Sequence, residues 1–268
     1  MLSNITLGQY FPGQSYIHRL DPRTKILATL IYIIAIFFAE VPASYGLLAA
    51  FAAVVIGLSQ LPLLLILRSL KPILIIVLLT LGIHMFTSPG TEIVFSWKFL
   101  SVTKEGLELG LKMAARLILL LLFSSVLTFT TSPIVLTDGI EHLLRPFKGL
   151  GVPAHELAMM MTIALRFIPT LLEETDRIMK AQTARGADFA SGNLLQRVKN
   201  MLPLLVPLFI SAFRRADELA VAMEARCYCG GEGRTRMHQL AYTWKDYLAL
   251  VAVVALAVGL AVWRWGGL

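Results

Sequence analysis

The sequence predicts an all-α, polytopic membrane protein with about five transmembrane helices and a helical, charge-rich region facing the cytoplasm. Three observations predict it. The chain is 57% hydrophobic and only 15% charged, against roughly 25% charged for a soluble domain. The missing charge is absent from long runs rather than thinned evenly, which is the pattern of membrane spans. One internal stretch, residues 132–243, recovers charge along its whole length while staying densely apolar.

The uncharged runs are 26–39, 41–67, 72–91, 117–137 and 247–263. A spanning helix needs about 20 apolar residues, so the last four suffice. The first is short and spans only if residues 20–25 lie at the interface, with Arg23 and Lys25 snorkelling. Asp21 followed by Pro22 is a helix start: a carboxylate to cap free N–H groups, then proline at the first helical position. The connection through Glu40, Val41, Pro42, Ala43 and Ser44 is a tight turn without Lys or Arg, whereas Arg19, Arg23, Lys25, Arg68 and Lys71 flank the opposite ends. By the positive-inside rule the N-terminus is cytoplasmic and Glu40 lies outside. Residues 87–105 then form an outer loop. Glu105, Glu108, Lys112 and Arg116 open the fourth span as an interfacial helix start, with Glu108 and Lys112 spaced to pair on one face.

This gives an N-terminal membrane region of four spans over 1–131, a region with two long helices over 132–243, and a C-terminal span over 244–268. Within 132–243 a short amphipathic helix over 133–148 ends at Gly149, Leu150 and Gly151. Val152 and Pro153 open a second helix running to Arg185 and Gly186, kinked at Pro169. A third runs from Leu195 to Cys229 and carries Pro203 and Pro207. Each long helix has an apolar portion too short to span, then a highly charged end. Such helices dip into the inner leaflet and emerge into the cytoplasm, or present a partner-binding surface.

Composition also excludes functions. The net charge of +7 is mixed with acids, the surplus of a positive-inside membrane protein rather than a nucleic-acid surface. The first basic residue is Arg19 and about 25 residues precede the first apolar run, unlike a secretory signal peptide. Cys227 and Cys229 imply no disulfide framework, and without a second Cys pair or nearby His cluster they imply no zinc site. The chain lacks the Gly-Lys-Ser/Thr of a phosphate loop, so any ATPase must come from outside. His18, His84, His142, His155 and His238 are scattered, against a membrane-embedded enzyme. The clear spans carry no central Asp or Glu, against the alternative of a secondary transporter with its own substrate site.

Two short motifs remain: Ala184, Arg185, Gly186 and Ala225, Arg226, Cys227, each ending a long charged helix. Small neighbours leave the guanidinium unobstructed, and arginine keeps its charge and its five donors when desolvated. That suits insertion into an acidic groove. The plainer reading is a cation complementing a helix C-terminal dipole, and residue chemistry alone leaves both open.

With these motifs, the run Leu20, Asp21, Pro22, Arg23, Thr24, Lys25, and the tail Gly230, Gly231, Glu232, Gly233, Arg234, Thr235, Arg236, the sequence resembles the transmembrane T component of energy-coupling factor (ECF) type ABC transporters over nearly its whole length. The resemblance implies a prokaryotic, multi-pass cell-membrane scaffold without covalent chemistry of its own. It would couple two cytoplasmic ABC-type ATPases, which bind the ATP, to a small membrane S component that captures a vitamin or metal ion. The region 132–243 becomes a coupling region. Ala184, Arg185 and Gly186, and Ala225, Arg226 and Cys227, become ATPase-docking residues, with Cys227 where glycine would be the simpler match. Met159, Met160, Met161, Leu205 and Phe209 become candidate contacts of the S component, methionine being a soft, repackable surface. No metal site and no cofactor of this chain are implied.

Overall fold

In the computed structural model, residues 9–87, 93–97, 100–189, 193–230 and 239–266 are described. Among the described residues the regular structure is helical apart from one β-hairpin: α1 Pro22–Phe38, α2 Pro42–Ser59, α3 Leu63–Thr87, β1 Ile93–Trp97, β2 Leu100–Thr103, α4 Lys104–Thr130, α5 Pro133–Leu144, α6 Ala154–Ala184, α7 Leu194–Ala225 and α8 Trp244–Trp265. A 3-10 turn, Arg145–Leu150, follows α5. The glycine-rich tail from Gly231 to Arg236 lies outside the described residues. Two compact units form: one from Gly8–Ile140 with Gln239–Leu268, the other from the described residues of Glu141–His238.

The first unit is built around α1. Tyr32, Ala35 and Ile36 are fully buried there, packed with Leu48 of α2, Phe123 of α4 and Val253 of α8. The rings of Tyr32 and Phe123 stack at 3.9 Å, and the Tyr32 hydroxyl donates to the Leu48 carbonyl at 3.0 Å. In hydrocarbon, where lipid competes for apolar contact, such packing and internal hydrogen bonds hold helices together.

The start of α1 is a polar clasp. Asp21 caps it by accepting from the Arg23 N–H, and also takes the Arg23 guanidinium through Nε at 3.0 Å and Nη2 at 2.8 Å. That guanidinium lies 4.0 Å over the Tyr242 ring. Asp246 in the first turn of α8 is 1% exposed. It accepts from the Asp21 N–H at 2.8 Å, the Thr243 N–H at 2.8 Å and the Thr243 hydroxyl at 2.6 Å. Lys25 does not snorkel as expected. It is 7% exposed, and Nζ donates to the His18 carbonyl at 3.1 Å, the Thr130 carbonyl at 3.0 Å and Thr131 Oγ1 at 3.3 Å. The reason lies at the end of α4: the Thr130 carbonyl lacks a helical partner there, and a cation satisfies both its lone pair and the helix dipole.

These bonds set helix directions. Asp21 meets Asp246 at one end of α1 and α8, and Glu40 pairs with Arg264 at 2.6 Å at the other. The two helices therefore run parallel, and α1 covers the same depth as α8. By length and apolarity α2, α3, α4, α6 and α8 can cross a membrane; α1, with 17 residues, is short of that length but is bracketed at both ends by α8. The unexpected member is α6. Its apolar half meets the criterion although Arg166 lies within it, where the sequence predicted entry into one leaflet only.

Several boundaries also differ from the sequence reading: α5 stops at Leu144, not Lys148, where a 3-10 turn opened by Arg145 and Pro146 takes over, and α7 stops at Ala225, not Cys229, because Cys227 is left-handed. The run 41–67 is broken at Gln60, which is left-handed at φ 53° and ends α2. Consequently α3 starts nine residues before Pro72 and contains Arg68, Lys71 and Pro72. The expected outer loop holds the hairpin β1–β2, paired antiparallel; its β-branched and aromatic residues Ile93, Val94, Phe95 and Trp97 are the signal for it. The helices α3 and α4 then pack antiparallel with backbones in close approach. A Cβ on Gly106 would fall 2.9 Å from the His84 carbonyl oxygen, and one on Gly110 3.2 Å from that of Leu81. Small residues four apart are what let membrane helices approach so closely. The Glu108–Lys112 pair forms as expected, at 2.8 Å.

Candidate docking site

The second unit holds the arginine motifs. Both long helices run unbroken past their prolines, Pro169 in α6 and Pro203 and Pro207 in α7. Three contacts fix their relation. The Tyr228 hydroxyl lies 3.3 Å from His155 Nε2, Arg215 Nη2 donates to Glu174 Oε2 at 3.2 Å, and Asn200 Nδ2 donates to the Asp188 carbonyl at 2.8 Å. As numbers rise along α6 they fall along α7, so the pair is antiparallel. An apolar cleft between them is lined by Phe167, Ile168 and Leu171 on one side and Ala216, Leu219 and Met223 on the other.

Each motif is a helix terminus of one geometry. Arg185 is the C-cap of α6 and Arg226 the C-cap of α7. The next residue is left-handed in both: Gly186 at φ 88° and Cys227 at φ 55°. The Gly186 N–H bonds the Thr183 carbonyl and the Ala187 N–H the Gln182 carbonyl, both at 3.0 Å; the Cys227 N–H bonds that of Glu224 at 2.9 Å and the Tyr228 N–H that of Met223 at 3.1 Å. This double closure is the Schellman motif. The small residue after each arginine thus serves the turn as well as access. Ala184, Arg185, Gly186, Ala225, Arg226 and Cys227 are all exposed. Neither guanidinium has a partner among the described residues.

The antiparallel pairing puts the two arginines at opposite ends. Arg226 precedes Tyr228, which reaches His155 at the start of α6, while Arg185 closes the far end of that helix. At about 1.5 Å per residue the two tips stand about 45 Å apart along α6. The other candidate residues are separated by the same register. Met159, Met160 and Met161 lie between His155 and Glu174, whereas Leu205 and Phe209 lie between Asn200 and Arg215, opposite the other half of α6. Met160, Met161, Leu205 and Phe209 are exposed and Met159 is partly buried. Sequence reading did not single out His155, Glu141 and Tyr228 as a group. His155 Nδ1 is 3.1 Å from Glu141 Oε1, and residues so far apart in the chain carry no spacing signal. Among the described residues no cluster of His, Cys, Asp and Glu could hold a metal ion.

The fold and the tips define a class: a multi-pass helical membrane protein carrying an antiparallel helical pair with an exposed arginine at each end. A family described as CbiQ, cobalt transport protein, matches residues 13–238, and the chain belongs to this family, the transmembrane components of energy-coupling factor transporters. It is 68% identical over 99% of both chains to the energy-coupling factor transporter transmembrane protein EcfT of Acidaminococcus fermentans. It is 55% identical to the EcfT of Clostridium kluyveri over the whole of both chains. It is 49% identical to that of Bacillus subtilis over 96% of this chain and 97% of the relative. These relatives are named as transporter components, not as enzymes, and the name implies further components.

Proposed function

We propose that this chain is the scaffold that couples two cytoplasmic ABC-type ATPases to a small membrane S component during uptake of a vitamin or metal ion. ATP is bound by the ATPases. Arg185 enters a groove on one ATPase and Arg226 a groove on the other. The observation that carries this reading is the pair of tips: same cap, same exposure, no internal partner, opposite ends of one helical pair. A cation placed only for a helix dipole needs no such presentation. Two tips about 45 Å apart suit two separate subunits better than one groove. Closure of the ATPases on ATP would draw the tips with them and reorient the S component, for which Met159, Met160, Met161, Leu205 and Phe209 supply apolar contact.

The test is retention of the ATPases by the tagged full-length chain. Wild type retains both, and the Arg185→Ala, Arg226→Ala double variant retains neither while its membrane unit stays folded. Normal retention by the double variant removes the docking role. Photo-crosslinkers at Met160 and Phe209 should capture a small membrane protein; capture of lipid alone contradicts the S-component contact.

A further inference from the structure

We infer that Tyr228 is a positioning residue for Arg226, holding the second tip against α6 through His155 and Glu141. The inference rests on the docking role proposed above and adds how that tip is held. The Glu141 carboxylate can only accept, so His155 Nδ1 donates to it at 3.1 Å. In the neutral ring Nε2 is then the acceptor, and it faces the Tyr228 hydroxyl at 3.3 Å. Glu141 lies in the last turn of α5, His155 lies in the first turn of α6, and Tyr228 is the second residue after Arg226. Through His155, the end of α7 is thus joined to α6 and, by way of Glu141, to α5.

Tyr228 also closes the cap, its N–H bonding the Met223 carbonyl at 3.1 Å. Backbone and side chain hold it from two directions, so the turn carrying Arg226 cannot swivel about the α7 axis. The first tip has a reciprocal tether of simpler kind: Asn200 of α7 donates to the Asp188 carbonyl, three residues after Arg185. Each tip is therefore fastened to the opposite helix near that helix's start. Two docking ends tied in this way move as one strut, and displacement of one ATPase is passed to the other tip instead of being lost in a loose turn. Prepaid orientation of this kind is what lets a charged side chain bind without an added ordering cost.

Tyr228→Phe removes only the hydroxyl and leaves the ring and the backbone cap. The measurement is the affinity of the purified ATPase pair for the full-length chain in nanodiscs, on an Arg185→Ala background so that the second tip carries attachment. Tyr228→Phe should weaken binding about three- to tenfold, the size of one net hydrogen bond. His155→Ala should do the same, and the two together should do no more, since they remove one shared interaction. With Arg226→Ala present and Arg185 restored, so that the first tip carries attachment, Tyr228→Phe should have no further effect, which separates positioning from general stabilisation. Unchanged affinity for Tyr228→Phe, or an equal loss with Arg226 absent, overturns the inference. If Arg226→Ala alone leaves affinity at the background value, the docking role itself fails, a different outcome.

Discussion

Asp246 of the first unit is 1% exposed and accepts from three donors, whereas Arg185 and Arg226 of the second are exposed and have no partner among the described residues. Lys25 sits with Asp246 on this scale: buried, its ammonium donating to three oxygens. Asp246 and Lys25 are satisfied internally and close helix ends, where a bilayer offers no water. Charge at the tips of the second has no partner among the described residues. On the docking role proposed above, the difference separates residues that build the protein from residues that connect it, and substitutions should sort the same way.

The largest effect is expected at Asp246. Asp246→Ala leaves the buried Asp21 N–H and the Thr243 donors without an acceptor, at a cost of about 1–3 kcal/mol for each buried group left unsatisfied. The protein should be lost from detergent extracts or unfold at a much lower temperature, and Asp246→Asn should recover part of the loss. A monodisperse Asp246→Ala protein with an unchanged thermal midpoint would show that the clasp is not structural. Next come the tips. Arg185→Ala or Arg226→Ala alone should weaken ATPase binding tenfold or more, as removal of one partner of a desolvated ion pair does, with no shift in thermal midpoint. Arg→Lys should not restore it fully, because lysine lacks the planar fork. Full rescue by lysine would reduce the tips to dipole complements.

Legibility in the sequence follows the same division. Local features are readable from residues alone: the Asp21–Pro22 start of α1, the turn at Glu40, the start of α5 at Pro133, and the end of α6 at Arg185. Each is set by capping chemistry or by a run of like residues within a few positions. The features that were not readable need partners distant in the chain. Burial of Lys25 depends on the Thr130 carbonyl at the end of α4, more than a hundred residues away. Likewise Gly106 and Gly110 do not announce a contact with α3, and His155 gives no hint of Tyr228. The split at Gln60 was missed because an uncharged run hides a turn made by one left-handed residue and a proline.

Glycines sharpen the comparison at smaller energies. Gly106 in the membrane unit is required for space: its Cβ would fall 2.9 Å from both the His84 carbonyl oxygen and Thr103 Oγ1. Gly106→Ala should push α3 and α4 apart and cost about 1–3 kcal/mol, the range for overpacking. Gly110→Ala, with 3.2 Å to a carbonyl oxygen, should cost less. Thermal unfolding of both variants in one detergent gives the order, and a Gly110 variant weaker than the Gly106 variant would contradict the packing account.

The smallest effect belongs to the residue after each arginine, where conformation matters and space does not. Nothing lies within 4 Å of a Cβ placed on Gly186, yet its φ is 88°. Cys227 holds the equivalent place at φ 55° with a side chain. An L-residue in the left-handed region costs about 1–2 kcal/mol, and glycine gives back part of that gain because the unfolded chain has more freedom to lose, about 0.4–1 kcal/mol. Cys227→Gly should therefore tighten the last turn of α7 by about 0.5–1 kcal/mol, and Gly186→Cys should loosen that of α6 by a similar amount. Amide exchange at Tyr228 and Ala187, whose N–H groups close the two caps, reads this directly: slower at Tyr228 in the first variant, faster at Ala187 in the second. Affinity for the ATPases should change little in Cys227→Gly, since the thiol is neither the charge nor the tether. A large loss of binding on that substitution would mean that the thiol itself touches the partner, and the two tips would then differ in chemistry as well as in sequence.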